Sequence, residues 1–263
     1  MKKADVEKAL STAPSKEDIA TLRQLAGEVE RSAISIPRIA VDYRSRIDGQ
    51  TNNNFGGFCI VKSEKTTDGT YMKSMEVIGK TLECVVLKAR YMSKHYDASA
   101  EKTTYFTKEF NSFNEPIELF NWEKKSVGFS TYKDHKARYE LKSNIILYVW
   151  FRENIYRLQL SSSCLGAYWD YEKLFRESHV SLVVTEIGTI EQQKSDSAPV
   201  YFLATFGQKG EFPYDRAKFL VGELNEALRI YEKNRDQGRE PEQADTSDFS
   251  EKEEIVDTTS LPF

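Results

Sequence analysis

Residues 81–91 read TLECVVLKARY, and the alternation of apolar side chains changes partway along this stretch. In an extended strand, neighbouring residues point to opposite faces. One apolar set shares the first face: Leu82, Cys84 and Val86. A second set shares the opposite face: Val85, Leu87, Ala89 and Tyr91. Long strands with such a change bend, as strands do at the corners of small barrels. The stretch therefore predicts a bent strand in a small β-barrel.

Apolar periodicity predicts the other elements. Strands are expected near 34–41, 58–62, 103–110, 116–121, 136–150, 179–190 and 199–206, with a hairpin at Asn154 leading into 155–160. Helices are expected at 4–10, 16–31, 166–178 and 214–234. The predicted fold class is mainly β with flanking helices, an OB-fold-like, partly open β-barrel followed by a disordered acidic C-terminal tail. A β-sandwich is the alternative.

Charge divides the chain unevenly. From Asp236 to Phe263 there are nine acidic and two basic residues, a net charge of −7, so residues 1–235 carry +3 of the total of −4. The low apolar content of this last segment predicts disorder. We therefore expect three parts: a helical segment over 1–31, an OB-fold-like nucleic-acid-binding domain over 32–235, and an acidic tail over 236–263 with a partner-binding tip.

The compartment is predicted from what the sequence lacks. The start of the chain has lysines but no apolar run typical of a signal peptide. The longest apolar run, Ile145–Phe151, is too short to cross a bilayer. Cys59, Cys84 and Cys164 are odd in number and widely spaced, which indicates buried thiols in a reducing compartment. A soluble cytoplasmic protein without membrane contact is expected.

No enzymatic site is evident in the sequence. The nucleotide-binding, hydrolase and metalloprotease signatures are all absent from it. His95, His135 and His179 each lack a second ligand at metal-binding spacing. We expect neither catalytic residues nor a metal, and no cofactor.

Aromatic and basic residues concentrate in one part of the chain. Residues 91–156 contain fifteen Phe, Tyr or Trp, about twice the whole-chain frequency of 12%. Single-stranded nucleic acid repeatedly presents phosphates, which lysines contact, and base faces, on which rings stack. About two-thirds of these rings should nevertheless be core. The candidate nucleic-acid-binding residues are the rings and cations that look exposed: Lys88, Arg90, Lys94, His95, Tyr96, Tyr105, Trp122, Lys124, Lys125, Phe129, Tyr132, Lys133, Lys136, Arg138, Trp150 and Arg152.

The end of the sequence carries a resemblance to a known family. Glu251, Glu253, Glu254 and Asp257 precede the tripeptide Leu261, Pro262 and Phe263. An acidic segment closing on a hydrophobic-Pro-Phe tip resembles the tail of bacterial and phage single-stranded DNA-binding proteins. Thr258, Thr259 and Ser260 depart from the family pattern, which is acidic up to the tip. The longer body is more similar to the phage-type members.

The resemblance implies a function. The chain would bind single-stranded DNA without sequence preference in replication, recombination and repair. Its tip, through Asp257, Leu261, Pro262 and Phe263, would recruit a polymerase, helicase, primase or nuclease. The setting would be a bacterial cell or a phage-infected host, and a homo-oligomer is allowed. The alternatives are an RNA-binding protein on the same barrel, a protein–protein adaptor or recombination mediator that does not bind DNA, and, third, an enzyme of unrecognised type.

Overall fold

The structure is a computed structural model that describes residues 36–236 apart from 48–49, 66–70, 194 and 196–199. The helices expected at 4–10 and 16–31, and the tail that follows Asp236, lie outside the described residues. One compact unit includes Ile36–Arg229 and holds all the described strands. Of the other unit, Met1–Ser35 with Ile230–Glu242, only the end of the last helix is described.

Strands make up most of the regular structure. Within the described residues the strands are β1 (Arg38–Val41), β2 (Arg46–Ile47), β3 (Gln50–Thr51), β4 (Phe58–Lys65), β5 (Tyr71–Gly79), β6 (Thr81–Asp97), β7 (Lys102–Thr107), β8 (Ile117–Asn121), β9 (Ser126–Ser130), β10 (Lys142–Phe151), β11 (Asn154–Leu160), β12 (Val183–Gln193) and β13 (Val200–Glu211). The α-helices are α1 (Tyr132–Tyr139), α2 (Leu165–Glu172) and α3 (Tyr214–Asp236). Short 3-10 helices cover Ser162–Cys164, Lys173–Phe175 and Val180–Leu182.

The predicted bent strand is β6, which is 17 residues long and connects the parts of the sheet. Successive stretches of β6 pair with β12, then β10, then β7. Tyr148 and Val149 of β10 pair with Lys88 and Val86 of β6. Leu87 between them is therefore an extra residue, which forms a β-bulge. The predicted change of alternation is confirmed. The predicted faces are wrong for Ala89 and Tyr91, because the bulge returns both to the side of Leu82, Cys84 and Val86.

Eleven strands of the described chain belong to one sheet. Its hydrogen-bonded order is β5-β4-β1-β11-β10-β6-β7-β8-β9, and the β12–β13 hairpin joins β6 as a branch. The β1–β11 pair is parallel, whereas the other pairs are antiparallel. The prediction of a mainly β fold with a partly open sheet and a C-terminal helix is confirmed. The sandwich alternative is not observed, because these strands form one continuous sheet.

Each side of the sheet has its own core. The main core packs side chains of β1, β4, β6, β10 and β11 against α2, whose Tyr168 is fully buried. On the opposite side, which we call the outer face, α3 places Leu220, Leu224 and Leu228 over β6 and β10. Burial of each such leucine contributes about 1.5–3 kcal/mol. None of the described helices is long and apolar enough to cross a membrane.

The branch β12–β13 packs back against the loop that joins β1 to β4. Phe202 of β13 lies 4.9 Å from the ring of Phe55 and 5.6 Å from that of Tyr43. Gly56 has φ +77°, and a Cβ atom there would lie 2.1 Å from the Phe202 ring. Glycine is therefore required both by the backbone conformation and by the close approach. Side-chain packing, together with a hydrogen bond from the Thr189 hydroxyl to the Gly56 carbonyl, joins the branch to this loop.

One element was misassigned from the sequence. The strand predicted over 136–150 is in fact the helix α1 followed by β10. The Thr131 hydroxyl accepts a hydrogen bond from the Asp134 amide at the start of α1, and Glu140 ends it in the left-handed conformation, with φ 50°. A polar helix of eight residues has little periodicity, and its caps were the available signal.

Substituting Gly56 tests this junction. Gly56→Ala should lower the free energy of unfolding by about 2–4 kcal/mol, because it adds left-handed strain and displaces the Phe202 ring. The matched control is Gly222→Ala in α3, where nothing lies within 4 Å of the added Cβ. That change should stabilise the protein by up to about 1 kcal/mol. Urea unfolding measures both, and equal effects of the two substitutions would contradict the packing described.

Candidate nucleic-acid interface

The strands β7, β8 and β9, with residues 91–97 of β6, form the part of the sheet that we call the distal sheet. Each of these strands pairs with the next in antiparallel register. Because residues directly opposite one another in a ladder share a face, the register places side chains from different strands side by side. It therefore shows which rings and cations meet.

A row of four residues crosses the outer face from β10 to β8. Lys142 lies opposite Lys94, Lys94 opposite Phe106, and Phe106 opposite Phe120. The Phe106 and Phe120 rings stack with centroids 5.7 Å apart and an interplanar angle of 23°. Two lysines thus stand beside a stacked pair of rings, of which Phe106 is half-buried and Phe120 is buried.

Two further lysines lie over aromatic rings of the same surface. Lys108 Nζ lies 5.2 Å from the centroid of Phe120, and Lys102 Nζ lies 5.0 Å from that of Trp122. These are cation–π distances. The contacts hold ammonium groups close to the rings, which is the combination that a phosphate with an adjacent base requires.

The two most accessible rings lie at the edge of this surface. Trp122 is 59% exposed in the turn between β8 and β9, and Phe129 of β9 is 70% exposed. Phe129 lies opposite Glu118, which is two residues before Phe120 and so shares its face. We call the combined set the aromatic–lysine face: Lys94, Lys102, Lys108, Lys142, Phe106, Phe120, Trp122 and Phe129.

Several acidic residues of the same segment are held at turns and helix caps. Asp97 accepts hydrogen bonds from the Ser99 hydroxyl and from the Ala100 amide, which lower the pKa of its carboxyl group. Glu115 accepts from the amides of Asn111 and Ser112. Asp134 accepts from hydroxyl groups at the start of α1. These three carboxylates therefore act in local structure, whereas Glu118 lies on the outer face opposite Phe129.

The outer face continues toward α3 with a half-buried charge cluster. The Glu109 carboxylate accepts from Arg157 Nε at 2.9 Å and from the Tyr148 hydroxyl at 2.5 Å, and Arg90 lies 3.9 Å away. Burial, followed by the charge of Glu109, raises the pKa of Tyr148 strongly. Lys88, opposite Tyr148, donates to the Asn225 side chain of α3 at 3.0 Å. The candidates Lys88 and Arg90 therefore share this face, but both contact protein groups.

Several other candidates lie on the opposite side of the distal sheet or face inward. Tyr105 packs on Tyr139 of α1, with centroids 4.6 Å apart. His95 Nδ1 lies 2.6 Å from the Thr104 hydroxyl. Tyr96, by contrast, follows Lys94 by two residues and so shares the outer face, where it is half-buried. Of the consecutive pair 105–106, it is Phe106 rather than Tyr105 that belongs to the aromatic–lysine face.

The α1 candidates are also separate from the aromatic–lysine face. Tyr132 packs 4.7 Å from Phe113 in an aromatic cluster of the main core. Three cations on the solvent side of α1 are exposed: Lys133, Lys136 and Arg138. Because Tyr139 of α1 packs on Tyr105, this helix lies on the side of the sheet away from Phe106.

Trp150 and Arg152 lie at the far end of β10. Trp150 packs 5.4 Å from Phe212 of the β13–α3 connection, and the Arg152 side chain forms an ion pair with Glu76 at 2.9 Å. Eight residues of strand separate Trp150 from Lys142, a distance of about 26 Å. Trp150 and Arg152 therefore lie apart from the other candidates. The candidates that the distal sheet brings together are Lys94, Trp122, Phe129 and the turn lysines Lys124 and Lys125.

The sequence reading missed five residues of the aromatic–lysine face: Lys102, Phe106, Lys108, Phe120 and Lys142. A signal for some of them was present. Phe106 and Lys108 are two residues apart, and so are Phe120 and Trp122, which is the spacing of side chains on one face of an extended chain. Lys102 carried no such signal, because Thr104 is an extra residue of β7 between it and Phe106. What the sequence did not contain was the pairing that brings the two sets together.

The described residues contain no group of three or more His, Cys, Asp or Glu that could hold a metal ion. The three cysteines are buried and unbridged, as predicted. Burial raises the pKa of Cys59 to about 11, so that this thiol stays protonated at neutral pH. No family model matches the chain, and neither a curated protein nor a solved structure resembles it significantly.

Replacing the central carboxylate tests the charge cluster. Glu109→Gln should lower the free energy of unfolding by about 2–3 kcal/mol, because two partly buried arginines lose their anionic partner. The matched control is Glu153→Gln, whose side chain is 77% exposed in its ion pair with Arg216. That change should stay within about 0.5 kcal/mol. A Glu109→Gln protein as stable as the control in urea unfolding would contradict the role of Glu109.

Proposed function

We propose that this protein binds single-stranded DNA without sequence preference, in DNA replication, recombination and repair. The observation that carries the proposal is the aromatic–lysine face of the distal sheet. Its two exposed rings, Trp122 and Phe129, would stack on bases, and its lysines would contact the phosphates between them. Neither contact reads a base edge, so the binding would tolerate any sequence.

The accessible rings favour a single strand over a duplex. Within a duplex the base faces are covered by their neighbours, and only groove edges and backbones remain available. Trp122 and Phe129 are 59% and 70% exposed. Along a duplex such rings find exposed base faces only at the two ends, whereas each unpaired nucleotide can offer one. The lysines add affinity that decreases as salt rises.

The acidic segment 236–263 is proposed to recruit other proteins. Its support is the sequence resemblance alone, in which Leu261, Pro262 and Phe263 follow a series of acidic residues. The tip would occupy an apolar pocket on a polymerase, helicase, primase or nuclease. The acidic residues upstream would compete with DNA phosphates for the lysines, which couples recruitment to DNA binding.

Titration with oligo(dT) across a salt series tests the DNA-binding proposal. Trp122 is the most exposed of the three tryptophans, so its fluorescence should be quenched by bound DNA. Phe129→Ala should weaken binding by about 5- to 150-fold, since stacking contributes about 1–3 kcal/mol per base. Lys142→Ala should reduce the slope of log K against log salt by about 0.7, the value for one phosphate contact on a single strand.

Matched controls lie on α3, outside the aromatic–lysine face. Phe219 is 56% exposed and Lys218 is also exposed, so Phe219→Ala and Lys218→Ala remove the same side-chain types from another surface. Both should bind oligo(dT) like the unaltered protein. Equal losses in all four variants would contradict the assigned face. Tighter binding of oligo(U) would favour the RNA alternative, and absence of all binding at low salt would favour the adaptor.

Two truncations separate the roles of the tail. Deletion of Asp236–Phe263 should raise affinity for oligo(dT), most strongly at low salt, because seven net negative charges are removed. Deletion of Leu261–Phe263 should leave oligo(dT) affinity unaltered and abolish capture of partner proteins. If oligo(dT) affinity is unchanged after deletion of Asp236–Phe263, the tail does not compete with DNA for the lysines. If partner proteins are still captured after deletion of Leu261–Phe263, the tip is not the partner-binding site.

A further inference from the structure

The turn between β8 and β9 presents a ring and three charges at the tip of a hairpin. Trp122 is 59% exposed, and Glu123, Lys124 and Lys125 that follow it are all exposed. Lys102 of the neighbouring strand lies over the indole ring. More than half of the tryptophan side chain therefore remains accessible at the end of the hairpin.

Local hydrogen bonds fix the conformation of this tip. The Asn121 amide donates to the Lys125 carbonyl at 3.0 Å, and the Lys124 amide donates to the Asn121 carbonyl at 2.9 Å. The Asn121 side chain accepts from the Lys125 amide at 2.9 Å, and Lys125 forms an ion pair with Glu123 at 2.7 Å. A tip organised in advance loses little conformational freedom when it binds.

The chemistry of the tip complements the end of a DNA duplex. The last base pair of a duplex presents a flat apolar surface, larger than that of one base, between two phosphate backbones. An exposed indole can stack on that surface while Lys124 and Lys125 lie near the phosphates. A lone surface tryptophan elsewhere on a strand would lack this protruding position and the adjacent cations.

The same hairpin also leads to the proposed path of a single strand. Phe129, 70% exposed, follows the turn on β9 and faces the same side as Phe120 of β8. A strand that leaves a duplex held at the tip can therefore continue over the aromatic–lysine face without leaving the hairpin. Both parts of a junction then contact adjacent surfaces of one element.

We propose that the β8–β9 tip recognises the junction between single-stranded and double-stranded DNA, with Trp122 stacked on the terminal base pair. This inference rests on the proposed single-strand binding of the neighbouring face. It adds a specific substrate: a duplex end that carries a single-stranded overhang. The protein would then concentrate at the boundary where unpaired DNA begins.

Fluorescence anisotropy of labelled DNA tests this with three ligands: oligo(dT), a duplex carrying the same oligo(dT) as an overhang, and the blunt duplex. The full chain should bind the overhang DNA about tenfold more tightly than oligo(dT), and the blunt duplex more weakly than either. Trp122→Ala should reduce that preference to about twofold or less, and Trp122→Phe should keep part of it. Phe219→Ala on α3 should retain the full preference.

The outcomes separate the two proposals. Equal affinity for oligo(dT) and the overhang DNA overturns junction recognition while single-strand binding stands. An equal loss on both ligands in Trp122→Ala also overturns it, since Trp122 would then only stack on unpaired bases. Absence of binding to all three ligands removes the proposed single-strand binding, and junction recognition with it.

Discussion

The bulge at Leu87 is the local feature on which the sheet and the candidate site both depend. It lets β6 present Val86 and Ala89 to the main core while Leu87 and Lys88 lie toward α3. Without an extra residue at this point, strict alternation would turn Lys88 and Arg90 into the main core. Because of the bulge, Leu82, Cys84 and Val86 lie in the main core, whereas Lys88 and Arg90 later in β6 lie on the outer face.

This constraint also positions the distal sheet. β6 has 17 residues and extends about 55 Å, so it is longer than its partner β10. The end of β6 therefore remains available to pair with β7. The β7–β9 strands are thereby attached to a rigid element at one edge, while Phe129 and Trp122 remain exposed at the other. Rigid support on one side and exposed rings on the other suit a binding surface, because the rings need no ordering before contact.

Periodicity predicted more of the fold than of the site. It gave the class, the bend in β6, the β10–β11 hairpin and α3, because long apolar patterns identify those elements. It missed α1, whose polar sequence has few apolar positions to repeat, and it misplaced Ala89 and Tyr91, because one inserted residue reverses a face. Lys94, Trp122 and Phe129 could be selected from composition. Phe106 and Phe120 required the pairing register. Composition also does not indicate that about 26 Å of strand separates Trp150 and Arg152 from Lys142.

Hydrogen exchange measured by mass spectrometry, with and without oligo(dT), tests the central claim most directly, namely that single-stranded DNA lies on the aromatic–lysine face. Bound DNA should slow amide exchange in peptides covering residues 102–107 and 117–130. It should leave exchange unaltered in the α1 segment 132–139 and at the β10–β11 turn near Arg152. Protection at the β10–β11 turn or on α1, with none in the distal strands, would contradict the account.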